Sequence, residues 1–484
     1  MSAPALELSI RAAATRSGGG GVDWASITNG LKLTAVDDIL DIKDTTTPAN
    51  NYKGPPNPKF TSVRASAGSY LDSNRVLRFA AVNEIRRDFD PRIPGGVGGY
   101  LVENARANFL LHSTGLHITH HITASGGNAL PFTDGEVITS VGGGTGTYVL
   151  DHSAGSIYAV RNGSGTFSGV LTGGTSGATR NISSFVVIWV ATNITAVKNQ
   201  TGPDGVANSA TLLTATGAGA TVTQLFTGAS TLRAVSAFVK LVSGSGTVEM
   251  TVDGGTTWVP VTVTSSWTRV EIPTQTVINP VTGFRIASGV SIAAYCVQME
   301  NAGANVPFAS SPIVTTTAFA TRAIDQPKIA GTSFPLNNTD GQGTLYVKAV
   351  CYGSAAQTRM IAALDDGTVS EGVEVLLNSL YRTSFAVRDG GVVQATMNSV
   401  AGGGIPPLTP FKLALGLKLN DTFGATSEAA TSFPVDTACT MPTPTFLYVG
   451  ARYNPAGVEM MGWLLELLYL PEKRTNDEIS GLVA

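Results

Sequence analysis

Charged side chains are scarce. Of 484 residues only 13 % are Asp, Glu, Lys or Arg, against roughly 25 % in an ordinary globular domain. The 31 basic and 34 acidic residues leave a net charge of −3. No stripe of Lys and Arg gathers to neutralise a run of phosphates, which excludes nucleic acid as a partner. Cysteine is scarcer still. Cys296, Cys351 and Cys439 stand far apart with no CxxC spacing, so neither a disulfide scaffold nor a zinc site is expected; they read as small apolar residues of a core. No apolar run approaches the ~18 residues of a membrane-spanning helix. The first residues, Met1-Ser2-Ala3-Pro4-Ala5, lack the charged and apolar regions of a cleaved signal, so neither membrane insertion nor signal-directed secretion is expected. Sustained heptads and a Gly-X-Y period are also missing, which excludes a coiled coil and collagen.

Glycine, by contrast, is abundant, at 55 residues, and Thr, Ser and Val fill much of the remainder. Short β-rich runs bounded by Gly, Asn and Asp predict an all-β chain. Residues 1–59 combine the run Ser17-Gly18-Gly19-Gly20-Gly21 with a Pro-rich stretch from Pro48 to Pro58. Their apolar residues are too few for an independent core, so they read as an N-terminal arm or anchor, ordered by packing on something else. Residues 60–125 form the most distinctive segment, in which Asp72-Ser73-Asn74 predicts a turn between two short strands. Residues 126–189 hold a degenerate repeat. Phe132-Thr133-Asp134-Gly135-Glu136-Val137 with Gly142-Gly143-Gly144-Thr145 is echoed by Phe167-Ser168-Gly169-Val170 with Gly173-Gly174-Thr175, and two such copies suffice to close a small β-unit.

From 190 to 327, turns every 8 to 12 residues predict an antiparallel sandwich, with 235–241 and 246–252 as adjacent strands before the turn Asp253-Gly254-Gly255. Residues 328–484 predict a second one, with strands near 343–350, 360–364, 373–377, 384–388, 412–418, 446–450 and 463–470, then a capped helical turn at Thr475-Asn476-Asp477-Glu478-Ile479. The expected architecture is thus all-β: an N-terminal attachment arm, a small β-repeat unit and two antiparallel jelly-roll-like β-sandwiches.

The segment from Phe60-Thr61-Ser62-Val63-Arg64-Ala65-Ser66 through Tyr70-Leu71-Asp72-Ser73-Asn74-Arg75-Val76-Leu77-Arg78 to Arg87-Asp88-Phe89-Asp90-Pro91 and Glu103-Asn104-Ala105-Arg106-Ala107-Asn108 resembles an attachment-type module of tailed-bacteriophage virion proteins. Gly135-Glu136-Val137-Ile138-Thr139 with Ser176-Gly177-Ala178-Thr179 is similar to small spacer units of such proteins. The third block, with its exit Thr321-Arg322-Ala323-Ile324-Asp325, resembles carbohydrate-binding-module-like jelly rolls of phage fibres. The last, with Leu447-Tyr448-Val449-Gly450-Ala451-Arg452-Tyr453-Asn454 and Leu470-Pro471 before Arg474-Thr475-Asn476-Asp477-Glu478-Ile479, resembles concanavalin-A-like and laminin-G-like sandwiches. The resemblance implies a homotrimeric fibre- or spike-like component. It would be made in the host cytoplasm, sit on the particle surface against capsid, neck or tail proteins, and project sandwiches toward host-surface glycan. A head-fibre or capsid-decoration protein is the alternative, and a polysaccharide-degrading tailspike a further one.

Sugar recognition calls for an exposed ring beside polar groups. Trp258 next to Asp253, together with Tyr381 and Tyr453, are the candidates, whereas Trp267 and Trp463 alternate with polar residues as core residues would. His112, His117, His120 and His121 fall close together, and on a strand His117 and His121 would share one face. The His-x-His motif that coordinates iron in trimeric phage fibres is absent. No metal or other cofactor is expected; His117, His121, Asp365 and Asp366 are the side chains that would supply one. Asp365-Asp366-Gly367 reads first as a turn. No Gly-x-Ser-x-Gly elbow with a downstream Asp and His is present, and the expectation is a protein that is not an enzyme.

Overall fold

A computed structural model describes residues 24–35, 39–43, 52–54, 59–154, 156–302, 308–336, 340–352, 357–399, 404–428, 431–453 and 458–484. Among the described residues the chain is almost wholly β, with antiparallel pairing throughout its sheets and one short α-helix, Asn476–Val483. It divides into two compact units, one formed by residues up to Ala105 together with Ala323–Ala484, the other by Arg106–Arg322.

The discontinuous unit is a sandwich of two large sheets. One has seven strands in the order Val392–Asn398, Thr383–Asp389, Gly372–Leu377, Arg359–Asp365, Phe446–Val449, Gln326–Ala330 and Phe60–Val63. The other is ten-stranded and centres on Gly462–Leu470, flanked by Gly343–Cys351 and Gly30–Thr34. Period-2 alternation sends Val373, Val375 and Leu377 inward with Phe385 and Val387, where they meet Leu345, Val347, Leu413, Leu415, Leu464 and Leu467 in one core. Each such burial is worth about 1.5–3 kcal/mol. The helix begins at the predicted place. Thr475 Oγ1 accepts from Glu478 N, and the Glu478 side chain accepts from Thr475 N, completing a capping box.

Where the sequence suggests an arm at 1–59 and a separate module at 60–125, the structure builds the strands Gly30–Thr34, Ile39–Lys43, Tyr52–Gly54, Phe60–Val63, Arg87–Asp88 and Gly99–Val102 into the same sandwich as 323–484, residues 1–23 of the expected arm lying outside the described residues. Leu31 and Leu33 lie opposite Tyr469 and Leu467, and both are fully buried. The distinctive residues of 60–105 make a buried ionic cluster. Arg64 Nη1 donates to Asp325 Oδ1 at 2.9 Å, and Arg86 donates to Glu103 Oε2 at 2.8 Å and also to Asp325. Glu103 N donates to Asp325 Oδ2 at 3.0 Å, and Tyr352 donates its hydroxyl proton to Glu103 at 2.5 Å. A neighbouring set joins Asp88 to Trp463 Nε1 at 2.8 Å. Apart from Arg86 and Glu103, 17 positions apart, these partners are separated by hundreds of positions, so no local pattern could reveal them.

The second unit holds a closed barrel followed by a sandwich. The barrel strands run, in order around it, Ile118–Ser125, Ile157–Ser164, Thr145–Ala154, Val137–Ser140, Val170–Gly173 and Thr179–Val187. The two repeat copies meet through Val137–Ser140 and Val170–Gly173, Ile138 lying opposite Gly173. The Gly-Glu and Ser-Gly-Ala-Thr parts of the repeat motif prove to be partners: the Glu136 carboxylate accepts from Thr133 N, Thr175 N, Ser176 N and Ser176 Oγ at 2.6–3.0 Å.

Beyond the barrel, two five-stranded sheets enclose Leu213, Val222, Val235, Val239, Met250, Phe284, Ile292 and Met299. The strands expected to be adjacent are in opposite sheets. Thr231–Ser243 pairs with Thr268–Val277 and Ser291–Asn301, whereas Val248–Thr251 pairs with Val259–Val261 and Val281–Ile286. At Gly283 a Cβ would lie 2.0 Å from the Val222 carbonyl oxygen, so only glycine lets those strands approach. All three cysteines are free and buried.

Candidate functional site

One concavity of the discontinuous sandwich lies over the seven-stranded sheet. It is a groove of about 450 Å³ whose lining includes Ala363, Asp365, Glu374, Ala386, Arg388, Arg452, Tyr453 and residues 368–372. Its size falls within the ~300–1,000 Å³ of small-ligand sites. The strand period explains its floor. Val373, Val375, Phe385 and Val387 point into the core, so the alternate positions Glu374, Ala386 and Arg388 point away from it. Ala363, Glu374 and Ala386 face one another across three adjacent strands, and Asp365, Gly372 and Arg388 make the next row.

Arg452 Nη1 donates to Glu374 Oε1 at 2.7 Å, both side chains partly exposed. Asp365 is buried and ties the two ends of the groove. Its Oδ1 accepts from Gly367 N at 2.9 Å and its Oδ2 from Tyr453 N at 3.1 Å. Burial pushes the Asp365 carboxyl up to about 6; the two backbone N–H groups pull against that shift, while Asp366 and Glu374 add to it. Burial, with Asp365 and Tyr453 nearby, also raises the Tyr448 hydroxyl to about 12. Tyr453 itself is 49 % exposed, an aromatic ring held at the rim by its own backbone. The groove therefore offers a ring face, a carboxylate–guanidinium pair and the Thr368 and Ser370 hydroxyls, a set suited to apolar and hydroxyl surfaces together.

Of the residues singled out in the sequence, Tyr453 and Asp365 lie in this groove. Asp366 sits beside it and accepts from Thr368 N and Thr368 Oγ1 at 2.8 and 2.6 Å, the turn role expected of it. Tyr381 does not belong to any surface. At 3 % exposure it packs within the sandwich core, which corrects its reading as a glycan contact, because a ring enclosed on both faces cannot stack on a sugar.

Trp258 and Asp253 are in the other unit. Trp258 is half-buried; the Arg285 guanidinium lies 4.9 Å from its ring centroid and is itself held by Glu249 at 2.5 and 2.8 Å. One face of the indole is thus already covered. Burial would raise the Asp253 carboxyl, but hydrogen bonds from Thr257, Gln275 and Thr251 outweigh it and hold the group well below the usual carboxylate range. Those bonds close the turn and tie it to the strand Thr268–Val277. Trp267 is only partly buried and carries Lys240 over its ring, whereas Trp463 is fully buried, as expected.

His112, His117, His120 and His121 are buried. His117 precedes the strand Ile118–Ser125, whose pairing shifts register between Ile118 and His120. His121 meets His112, Nε2 to Nε2. Among the described residues no group of three or more His, Cys, Asp or Glu is placed to hold a metal ion.

Sequence reasoning missed Glu374, Arg388 and Arg452. The signal was present in part: Glu374 interrupts Val373-Glu374-Val375, and Arg452 immediately precedes Tyr453. What was hidden is that these positions share one face, which depends on strand neighbours up to 78 positions apart.

No protein-family model matches the chain, and no curated protein matches it. Among solved structures, the Ruminococcus gnavus IT-sialidase CBM40 bound to alpha2,3 sialyllactose is 10 % identical with a TM-score of 0.26, over 30 % of this chain and 85 % of that one. A native heptameric SAP-like pentraxin from Limulus polyphemus is 10 % identical at a TM-score of 0.22, over 29 % and 69 %. A truncated AlyQ with CBM32 and alginate lyase domains is 8 % identical at 0.21, over 59 % and 98 %. Likeness at this level carries no argument about ligand or role; the β-sandwich assignment rests on the chain's own sheets.

Proposed function

We propose that the protein is a structural component of a tailed-phage particle, fibre- or spike-like and homotrimeric, and that it binds host-surface glycan through the groove of its discontinuous sandwich. The observation that carries the glycan reading is the half-exposed Tyr453 ring at the rim of a cleft that also presents the Arg452–Glu374 pair. A pyranose has an apolar face for such a ring and hydroxyls for such a pair, and aromatic platforms with a polar edge are used this way. The particle role is supported by the resemblance of residues 60–113 and 135–179 to virion proteins and by the scarcity of charged residues in a β-rich chain.

The test is affinity electrophoresis of the full chain in gels cast with host capsular polysaccharide or lipopolysaccharide. Retardation that is lost in Tyr453→Ala, with the melting temperature unchanged, is the expected result; equal mobility with and without polysaccharide across the panel overturns the glycan reading. Immunogold labelling of particles tests the second part. Label on fibres or spikes is expected, label on the capsid shell selects the decoration alternative, and absence from particles overturns both.

A further inference from the structure

We propose that Arg388 makes the groove selective for saccharides that carry a carboxylate. The proposal rests on the glycan reading of the groove and names the class of sugar it takes. It follows from an inventory of the charged groups there. Glu374 is engaged by Arg452 at 2.7 Å. Glu371 accepts from Gly390 N at 2.7 Å and from Thr443 N at 3.1 Å. Asp365 accepts from Gly367 N and Tyr453 N, and Asp366, beside the groove, from Thr368. Every acid at the groove is therefore already answered by protein donors.

Arg388 is different. It lines the groove, is half-buried, and its guanidinium makes no hydrogen bond or ion pair with a described residue. A guanidinium partly withdrawn from water with its donors unanswered is poised for an anion, and its planar fork matches a carboxylate with two parallel hydrogen bonds. The floor in front of it is clear. Gly372 lies directly between Arg388 and Asp365 in the row across the sheet, and at the usual strand spacing that row is roughly 10 Å wide, enough for a sugar ring. Arg452, the other cation, is occupied by Glu374, so the choice between acidic and neutral sugars falls to Arg388.

The experiment titrates the full chain with oligogalacturonate and with the same oligosaccharide fully methyl-esterified, which keeps the sugar and removes the charge. Oligoalginate serves as a second uronate probe. The acid form is expected to bind at least tenfold more tightly than the ester, the preference shrinking at high salt. Arg388→Gln should bring the ratio to about one, and Arg388→Lys should keep only part of it, since an ammonium lacks the fork. Arg388→Gln is expected to melt at the wild-type temperature, because the guanidinium holds no described residue. Equal wild-type affinity for acid and ester, or an unchanged ratio in Arg388→Gln, overturns the proposal. If that happens while Tyr453→Ala still abolishes binding of both forms, the glycan reading stands without it. Wild-type protein that binds none of the probes overturns the uronate proposal, and the host-polysaccharide gels then decide the glycan reading separately.

Discussion

Asp365 shows how one buried carboxylate can join fold and function. It closes the Asp365-Asp366-Gly367 turn and holds the backbone of Tyr453, so the ring at the groove rim is positioned by a group that is itself buried. Its folded carboxyl is raised to about 6, whereas an unfolded Asp titrates near ~4. The folded state therefore binds more protons between those values, and this group's contribution to stability is present below about pH 4 and lost as pH rises through about 6. Melting temperatures of wild type and Asp365→Asn from pH 4 to 7 should show the wild-type value falling relative to the variant over that window; parallel profiles would contradict the assignment. Arg86 is a second residue with a sharp expectation. It is fully buried between Glu103 and Asp325, so Arg86→Ala removes the cation these two carboxylates share, with Arg64 remaining on Asp325, and should cost about 3–5 kcal/mol in urea unfolding.

At the scale of elements, strands and turns were legible because they are local. Strands expected near 343–350, 373–377, 384–388 and 463–470 are found at Gly343–Cys351, Gly372–Leu377, Thr383–Asp389 and Gly462–Leu470, since β-branched alternation and flanking turn residues are properties of a short window. The Asp72-Ser73-Asn74 turn likewise forms, the Asp72 carboxylate accepting from Asn74 N and Val76 N. What a window cannot hold is the partner. The reading of 235–241 and 246–252 as neighbours failed because the chain between them crosses from one sheet to the other, a choice made by which face each strand buries.

The barrel is the element where motif and mechanism are best matched. Glu136 binds four donors, three of them in or beside the Ser-Gly-Ala-Thr part of the repeat, and its carboxyl is held below the usual range: burial opposes this, and bonds from Ser176, Thr133 and Thr175 outweigh it. Glu136→Ala strands those donors and is expected to destabilise the barrel by about 1–3 kcal/mol, read as a lower urea midpoint, while Glu136→Asp, with a shorter reach, recovers only part.

For the whole molecule, the main correction concerns where one folding unit ends. Strands among residues 30–105 join both sheets of the discontinuous sandwich, and this stretch supplies half of that unit's buried charged side chains among the described residues. A fragment of 323–484 alone should therefore be insoluble or molten, with the edges of Gly462–Leu470 and Gln326–Ala330 bared for aggregation and Asp325 without Arg64 and Arg86. The fragment 106–322, which is contiguous and has its own cores, should be soluble and melt cooperatively. Size-exclusion chromatography and circular dichroism of the two fragments decide this; a well-folded 323–484 fragment would sink the account.

The candidate site divides along the same line. Tyr453 and Asp365 stood out in the sequence because an aromatic beside Asn and a paired Asp-Asp-Gly turn are local signals. Arg388, Glu374 and Arg452 did not, and Tyr381 looked available when it is enclosed. By itself the sequence determined that the chain is all-β, that its glycines close turns, that its cysteines are not a scaffold, and which face of each strand is apolar. Only the tertiary structure decided which strands are neighbours, that residues 30–105 complete the last sandwich, and which outward-facing side chains share a groove. The physical reason is that side-chain period and turn chemistry act over a few residues. Strand pairing and buried charge compensation are selected by the free energy of the assembled core, between groups as far apart as Arg64 and Asp325, separated by 261 positions.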